Sequence, residues 1–255
     1  MSPDQVSARY APTRRRLLVG LVAGAGLTAG AATGLVAIAA PARAYDWSRD
    51  LKSGDEGDDV TELQIRVAGW AADDAAETNV GVDGVFGPVT EAAVKRFQSA
   101  YGLSDTGVVG SETHDALNAL EASDGSTQHF TFSEFHSKDG SGLSGGKVGE
   151  SEVKENVRRL MYKLEAVRKK GGDNPITINS GFRSISHNSS VGGASNSQHM
   201  YGVAADIVIG DRSVSQTISY AQTSGFSGII RYSSFTHVDS RVEYPYGAGS
   251  WYWSI

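Results

Sequence analysis

Cysteine is absent from the 255-residue chain, and its absence removes several classes of site. Without cysteine the protein can have neither a disulfide framework nor a thiolate metal site or nucleophile. Stability must then come from the packing of apolar side chains, to which a bound metal can add. The lack of cysteine does not argue against export, and 255 residues suffice for one large domain or two smaller ones.

Basic residues are scarce outside the N-terminal segment. The formal charge of the chain is -6, but residues 1–44 contain five arginines and one acid, so the remainder carries 18 basic and 28 acidic side chains. Nucleic-acid binding is dominated by cationic contacts to phosphates. We therefore expect no nucleic-acid partner.

Residues 1–44 have the pattern of an export signal. Three arginines, Arg14 to Arg16, precede a stretch from Val19 to Ala40 that is built mainly from alanine, glycine and threonine. It ends in a small-x-small cleavage pattern before Tyr45. The arginine pair with a mildly apolar core resembles a twin-arginine signal. The stretch is also long enough to span a bilayer, so a retained anchor is the alternative. We expect a secreted protein without a retained anchor.

Residues 46–123 show apolar periodicity in three segments, which predicts three helices. Two turns between them resemble each other: the turn at Asp83–Gly87 has Thr90 three residues on, and the turn at Asp105–Gly110 has Thr113 three residues on. Such an internal repeat predicts a compact three-helix bundle. The pattern resembles the bacterial peptidoglycan-binding domain, which implies peptidoglycan as a partner. A generic helical domain without a ligand is the alternative.

Residues 124–128 are polar and include Gly125 and Ser126, which predicts a short flexible linker. With such a linker, each half of the chain is expected to function alone. Residues 129–255 alternate predicted helices and strands. The pattern predicts an α+β domain with a small antiparallel sheet and helices packed on one side. Its longest predicted helix, Glu152–Lys170, has an apolar face and a set of arginines, lysines and glutamates that is expected to face solvent.

Two histidines and one aspartate have the composition of a catalytic zinc site. His199 and Asp206 are seven residues apart with Gly202 between them, and His237 follows in a short run that predicts a strand. Three protein ligands of this kind leave a fourth zinc position open. Six histidines and 29 acids also produce some such spacings by chance, so spacing alone leaves the metal open.

The residues around this triple resemble the M15 peptidase family, which includes zinc D-alanyl-D-alanine carboxypeptidases and related endolysins. The matching segments run in one order over about 60 residues: Gly181-Phe182-Arg183-Ser184, His187-Asn188, Val191-Gly192-Gly193, Ser197-x-His199-x-x-Gly202-x-x-x-Asp206 and His237-Val238-Asp239. The resemblance implies one zinc per chain, bound by His199, Asp206 and His237. It also implies a cell-wall associated peptidase acting on peptidoglycan stem peptides.

Two further residues are candidates for binding the substrate. A guanidinium such as that of Arg183 can hold a carboxylate with two hydrogen bonds or stabilise a developing oxyanion. A surface salt bridge is its alternative role. Ser197 can hydrogen-bond substrate or orient His199, or it is simply a turn residue.

The sequence departs from the family where the proton acceptor is expected. The carboxypeptidases that it resembles have an acidic general base three residues before the last histidine and a second histidine two residues before it. Here those positions are Ser234 and Phe235, although a subgroup of M15-like proteins has a Phe-x-His-x-Asp arrangement like this one. Asp239 should lie on the same strand face as His237, where it could act as base or orient that histidine. His187 is the other candidate base.

Two functions of different class follow from these patterns. The first is a secreted, monomeric zinc peptidase that hydrolyses stem-peptide bonds, as a D-Ala-D-Ala carboxypeptidase or a related endopeptidase. The second is a noncatalytic zinc-containing protein that binds peptidoglycan. The sequence leaves open which bond is cut and whether the role is wall growth, cell separation or lysis of other cells.

Overall fold

The computed structural model describes residues 45–71, 77–247 and 249–254, all within one compact unit, Ala39–Ile255. The expected export signal, residues 1–44, lies outside the described residues. No helix in the described ranges is long and apolar enough to cross a membrane.

The N-terminal half contains three α-helices at the predicted places. Acidic residues Asp58 and Asp59 occupy the first turn of the first helix, where they complement the helix dipole. Proline begins the second helix, a position that needs no backbone N–H. A 3₁₀ turn, Ala68–Trp70, follows the first helix. The three helices are α1 (Asp58–Val67), α2 (Pro88–Ala100) and α3 (Ser111–Asn118).

The C-terminal half is an α+β domain built on one five-stranded sheet. Its helices are α4 (Glu150–Lys170), α5 (Ile185–Ser190) and α6 (Val214–Gln222). Its strands are β1 (Ile176–Ser180), β2 (Ala204–Ile209), β3 (Gly228–Arg231), β4 (Thr236–Asp239) and β5 (Tyr252–Ser254). The strand order is β1-β2-β4-β3-β5. The first four strands are antiparallel as predicted, but β5 runs parallel to β3, so the sheet is mixed.

Helix α4 covers the sheet with the apolar face that its periodicity predicts. Its inward positions are all buried in the core of the C-terminal half: Val153, Val157, Leu160, Met161, Leu164 and Val167. These side chains pack with residues of β2, such as Ala205 and Ile207, in one cluster. The sheet is therefore held against a long helix on one side.

Part of the opposite face of α4 is buried, so the expectation that its charged residues face water is wrong for two of them. Lys163 and Glu165 are 1% and 2% exposed. Glu165 contacts His129, and Lys163 pairs with Glu243. The neighbouring Tyr162 and Ala166 pack in the apolar cluster of the N-terminal half. The approach is so close that a Cβ on Gly69 would lie 2.4 Å from the Cβ of Ala166. The two halves therefore share buried surface.

Residues 124–128 form part of a compact turn, so the expectation of a flexible linker is wrong. The Ala122 amide donates to the Ser126 carbonyl at 2.8 Å, and the Gln128 amide donates to the Leu120 carbonyl at 2.8 Å. Ser126 and Thr127 are almost fully buried. Polar composition does not predict this turn, because backbone hydrogen bonds within residues 120–128 close it.

Candidate metal centre

Two neighbouring strands present the second and third predicted ligands directly opposite each other. Asp206 on β2 pairs with His237 on β4 in the antiparallel register. Directly opposed residues of such a pair have side chains on the same face of the sheet. The first predicted ligand, His199, lies on a 3₁₀ turn, Gln198–Tyr201, that leads into β2.

Gly202 makes the connection between that turn and β2. Its φ is 79°, in the left-handed region that disfavours side chains. A Cβ at this position would also meet the Val153 carbonyl oxygen at 3.0 Å. Glycine is therefore needed both for the conformation and for the close approach of α4, and it directs His199 back over Asp206.

The three ligand-type side chains converge on one small volume. His199 Nε2 lies 3.1 Å from His237 Nδ1 and 3.3 Å from Asp206 Oδ1, and His237 Nδ1 lies 2.9 Å from Asp206 Oδ1. Tetrahedral zinc with ligand bonds near 2.05 Å places its donor atoms roughly 3.3 Å apart. All three residues are buried, and they form the one group of this kind among the described residues. Two imidazoles and a carboxylate with this spacing fit a zinc ion.

Each histidine is fixed in orientation through its other ring nitrogen. His199 Nδ1 lies 2.6 Å from the Gly181 carbonyl oxygen, which can only accept a hydrogen bond. That nitrogen is therefore protonated, and Nε2 keeps its lone pair for a metal. His237 uses the reverse arrangement, because its Nε2 lies 3.2 Å from Asp239 Oδ2 and its Nδ1 faces the other ligands. Metal-binding histidines in proteins are commonly held in this way.

Burial and charge set the protonation of the ligand residues. Burial lowers the pKa of His199, which favours the neutral imidazole that a metal requires. Burial opposes ionisation of Asp206, but hydrogen bonds with His199 and His237 outweigh it and hold the pKa of this carboxyl below its usual value. Burial also lowers the pKa of His237, but its hydrogen bonds with Asp206 and Asp239 outweigh this effect and raise it.

Asp239 lies behind His237, on the same strand face, as strand alternation predicts. Its two oxygens accept hydrogen bonds from the Arg241 side chain, including one of 2.8 Å from Nε to Oδ1. A Cβ on Gly228, its partner on β3, would lie 2.1 Å from Asp239 Oδ2, so only glycine leaves room for this carboxylate. Of the two roles considered for Asp239, this geometry favours orienting His237.

Arg183 also contacts the ligand set. Its Nη2 donates to Asp206 Oδ2 at 2.8 Å and its Nε donates to Ser180 Oγ at 2.9 Å. The first contact leaves Oδ1 of Asp206 to face the histidines. Arg183 therefore holds the ligand carboxylate, and its side chain also lines the adjoining cleft.

The ligand triple lies at the base of a cleft of about 430 Å³. Ser197, which the sequence identified, lines it. So do Arg241 and Tyr232, which the sequence did not identify. Among the described residues, Asp206 is the only carboxylate in the cleft lining, which includes neither Asp239 nor His187. His187 instead lies on α5, where its amide donates to the Ser184 hydroxyl.

The two departures from the family pattern lie in the tight turn between β3 and β4. The Tyr232 amide donates to the Phe235 carbonyl at 3.1 Å, which leaves Ser233 and Ser234 at the tip. Tyr232 and Phe235 stack with ring centroids 4.3 Å apart. Phe235, at the position where a histidine is expected, therefore stacks on Tyr232, which lines the cleft.

Arg241, Gly228 and the Gly181 carbonyl are the supporting groups that sequence reasoning missed. The sequence contains a pattern that indicates Arg241, because this arginine follows Asp239 at a spacing of two. The other two act through backbone position, and no side-chain pattern marks them.

Comparisons with known proteins place the two halves in separate families. Residues 128–239 match the family described as Peptidase M15, and residues 56–117 match the family described as "Putative peptidoglycan binding domain". A protein of Streptomyces albus G named zinc D-Ala-D-Ala carboxypeptidase is 42% identical over 229 residues, which cover 86% of this chain and 88% of the relative.

Two shorter similarities involve amidases. The N-acetylmuramoyl-L-alanine amidase CwlL of Bacillus licheniformis is 41% identical over 66 residues, covering 26% of this chain and 18% of the relative. The amidase CwlA of Bacillus subtilis (strain 168) is 45% identical over 49 residues, covering 19% of this chain and 18% of the relative.

Proposed function

This chain belongs to the M15 family of zinc peptidases, and on that premise we propose that it hydrolyses the D-Ala-D-Ala terminus of peptidoglycan stem peptides. The observation that carries the proposal is the convergence of His199, Asp206 and His237 within 3.3 Å. The 42% identity to a zinc D-Ala-D-Ala carboxypeptidase over most of both chains supports this choice of bond. A related endopeptidase activity on crosslinks is the nearest variant.

In this proposal the three candidate ligands bind the metal. Neighbouring residues orient those ligands and provide positive charge for the substrate. A zinc ion bound in such a site would activate a water molecule and polarise the scissile carbonyl. Arg183 holds Asp206 in place and presents its guanidinium to the cleft, where it stabilises negative charge on the substrate. Arg241 adds a second guanidinium to the lining, and Ser197 adds a hydroxyl. A substrate that ends in a carboxylate suits this cleft.

Asp239 acts in this proposal as a positioning residue. Its contact with His237 Nε2 fixes the ring, and the Arg241 pair keeps the carboxylate ionised. Burial opposes ionisation of Asp239, but the hydrogen bonds with Arg241 and His237 outweigh it and hold its pKa below the usual value. His187 remains the other candidate for proton transfer.

A second candidate function is peptide binding without cleavage. It is favoured by Ser234 and Phe235, which cannot accept a proton at neutral pH, and by the absence of any carboxylate other than Asp206 from the described cleft lining. In either case we propose a monomeric protein that acts outside the cell, associated with the wall.

Turnover of purified muropeptides separates the two functions. We expect the parent chain to release D-alanine from monomeric muropeptides that end in D-Ala-D-Ala. We expect His199→Ala to lose both zinc and activity, because it removes one of three ligands. His187→Ala, a histidine outside the cleft lining, is the matched control for zinc content. Tight binding of muropeptides by the zinc-loaded parent without any D-alanine release would favour the noncatalytic function.

A further inference from the structure

The N-terminal half is built from two copies of one motif, each organised by a buried glutamine. In the first copy, Gln64 Nε2 donates to the Val85 carbonyl at 3.0 Å and to Thr90 Oγ1 at 3.2 Å, and its Oε1 accepts from the Gly84 amide at 2.9 Å. Both copies contain a left-handed glycine, with φ values of 73° at Gly84 and 79° at Gly107.

The second copy reproduces these contacts atom for atom. Gln98 Nε2 donates to the Val108 carbonyl at 2.8 Å and to Thr113 Oγ1 at 3.0 Å, and its Oε1 accepts from the Gly107 amide at 2.9 Å. Val85 and Val108 are therefore equivalent, and they are 44% and 41% exposed.

The two copies differ at the surface beside these turns. The first copy has Asp83 where the second has Thr106, and it has Pro88 where the second has Ser111. Proline has no backbone N–H, whereas Ser111 offers an N–H and a hydroxyl. No side chain caps the start of α3 at Gly110. The second copy thus exposes neutral donors where the first has a carboxylate and a tertiary amide without an N–H.

A groove of about 300 Å³ lies along the second copy. This volume is at the lower end of ligand pockets, which span about 300–1,000 Å³, and suits a short section of a polymer. The groove combines hydroxyl and apolar side chains with one charged residue, Glu112. Its lining is Gln98, Leu103, Ser104, Thr106, Val108, Gly110, Ser111, Glu112 and Thr113.

We propose that this groove binds the glycan strand of peptidoglycan, through the N-acetyl group and ring hydroxyls of its amino sugars. The inference rests on the proposed wall function and specifies which part of the polymer the N-terminal half contacts. Hydroxyl and amide donors of the groove suit hydrogen bonds to sugar hydroxyls and to the acetyl carbonyl. Leu103 and Val108 suit apolar contact with the acetyl methyl group. Stem peptides carry carboxylates, and a groove whose one charge is negative disfavours them. The arginines of the catalytic cleft suit the peptide instead.

The test measures binding of the full-length parent to glycan strands from which all stem peptides have been removed, so that no cleavage occurs. Val108→Asp places a charge in the groove, and Val85→Asp places the same charge at the equivalent exposed position of the other copy. We expect Val108→Asp to weaken binding by tenfold or more, and Val85→Asp to bind like the parent. Ser111→Pro should weaken binding several-fold without loss of folding, because proline is tolerated at the first helical position.

Three outcomes would overturn the inference. Parent-like binding by both Val108→Asp and Ser111→Pro would exclude the groove. Loss of binding by Val85→Asp alone would move the site to the first copy. Binding of soluble stem peptides but not of peptide-free strands by the parent would exclude the ligand class. Hydrolysis of soluble muropeptides is measured in parallel, so failure of the proposed enzymatic function is recognised separately.

Discussion

Single residues behind the ligands decide which atom each histidine offers to zinc. A backbone carbonyl at Gly181 holds His199, and the Asp239 carboxylate holds His237. The motif predicts the three candidate ligands because their residue types and order can be read from the sequence. The role of Asp239 could not be decided from the same pattern, since it depends on which ring nitrogen of His237 faces the metal.

Asp239→Asn distinguishes the positioning role from a base role. Asparagine retains the size of aspartate but removes the charge that pairs with Arg241 and supports His237. We expect zinc affinity to fall by about 10–100-fold, as for other residues that orient ligands, with kcat largely restored at saturating zinc. Zinc titration and kcat measured at several zinc concentrations provide the check. An unchanged zinc affinity with kcat lower by about 10²–10⁴-fold at saturating zinc would instead identify Asp239 as the base.

Helix α4 carries a buried phenol between the two halves of the chain. Tyr162 is 1% exposed, and its hydroxyl has no hydrogen-bond partner among the described residues. The guanidinium groups of Arg66 and Arg158 lie over its ring at 5.6 and 5.4 Å. Burial raises the pKa of Tyr162 to about 12. Its folded state therefore holds the phenolic proton more tightly than the unfolded chain, whose pKa is about 10.

Tyr162→Phe should change the alkaline stability profile. The raised pKa contributes to the free energy of unfolding, and this contribution is fully present below about pH 10. It is lost as the pH rises towards 12, by up to about 1.4 kcal/mol per pH unit for one group. Phenylalanine keeps the ring contacts and removes an unpartnered hydroxyl. We expect the free energy of unfolding at pH 7 to be unchanged or to rise by about 1 kcal/mol, with a smaller loss between pH 10 and 12.

Urea unfolding at pH 7 and 11 measures the free energy of unfolding of parent and variant. Tyr232→Phe, at an exposed ring, is the control. Equal alkaline losses in parent and Tyr162→Phe would contradict it.

The contact between α4 and the turn after α1 tolerates no added atom. A Cβ on Gly69 would lie 2.4 Å from the Ala166 Cβ and 3.0 Å from the Lys163 Cα. Gly69→Ala should therefore destabilise the protein by about 1–3 kcal/mol through overpacking. Gly81→Ala is the matched control, because the nearest atom to a Cβ there is a side-chain oxygen at 3.6 Å. Denaturant unfolding of both variants measures the difference, and equal stabilities would show that the contact accommodates the added methyl group.

At the scale of the whole molecule, a buried lysine on α4 connects this helix to the end of β4. Lys163 Nζ donates to the Gly225 carbonyl at 2.8 Å and to Ser240 Oγ at 2.9 Å, and it also pairs with Glu243. Ser240 follows Asp239 directly. The helix that contacts the N-terminal half thus also holds the end of β4, which carries a predicted zinc ligand.

Separating the halves should therefore cost stability, contrary to the expectation that each functions alone. Residues 128–255 alone would expose Tyr162 and Ala166 and would remove Glu62 from Arg158 and the Gly69 carbonyl from Lys170. We expect this fragment to have a lower Tm than the full chain and to aggregate. Thermal unfolding and size-exclusion chromatography of the fragment provide the measurement. A full chain with a protease site inserted at Gly125 is the control, since both halves stay present after cutting. A fragment with the Tm and activity of the full chain would restore the independent-module prediction.

The amino-acid sequence by itself predicted the three candidate ligand residues, and it determined the apolar face of α4, the positions of the other principal helices and four strands, and the repeat in the N-terminal half. These features depend on residue type and on short-range periodicity, which a linear pattern contains. Only the tertiary structure decided that α4 has two buried faces, that residues 124–128 close a turn, and that Arg183 and Asp239 support the ligands. The two buried faces of α4 and the position of Arg183 depend on contacts between segments distant in sequence, as in the pairing of Arg158 with Glu62, 96 residues apart. The turn and the contacts of Asp239 are short-range, but they depend on backbone and ring geometry that residue types alone do not specify. Burial of a charged residue is decided by whether such a partner arrives, and the sequence pattern of one helix carries no information about it.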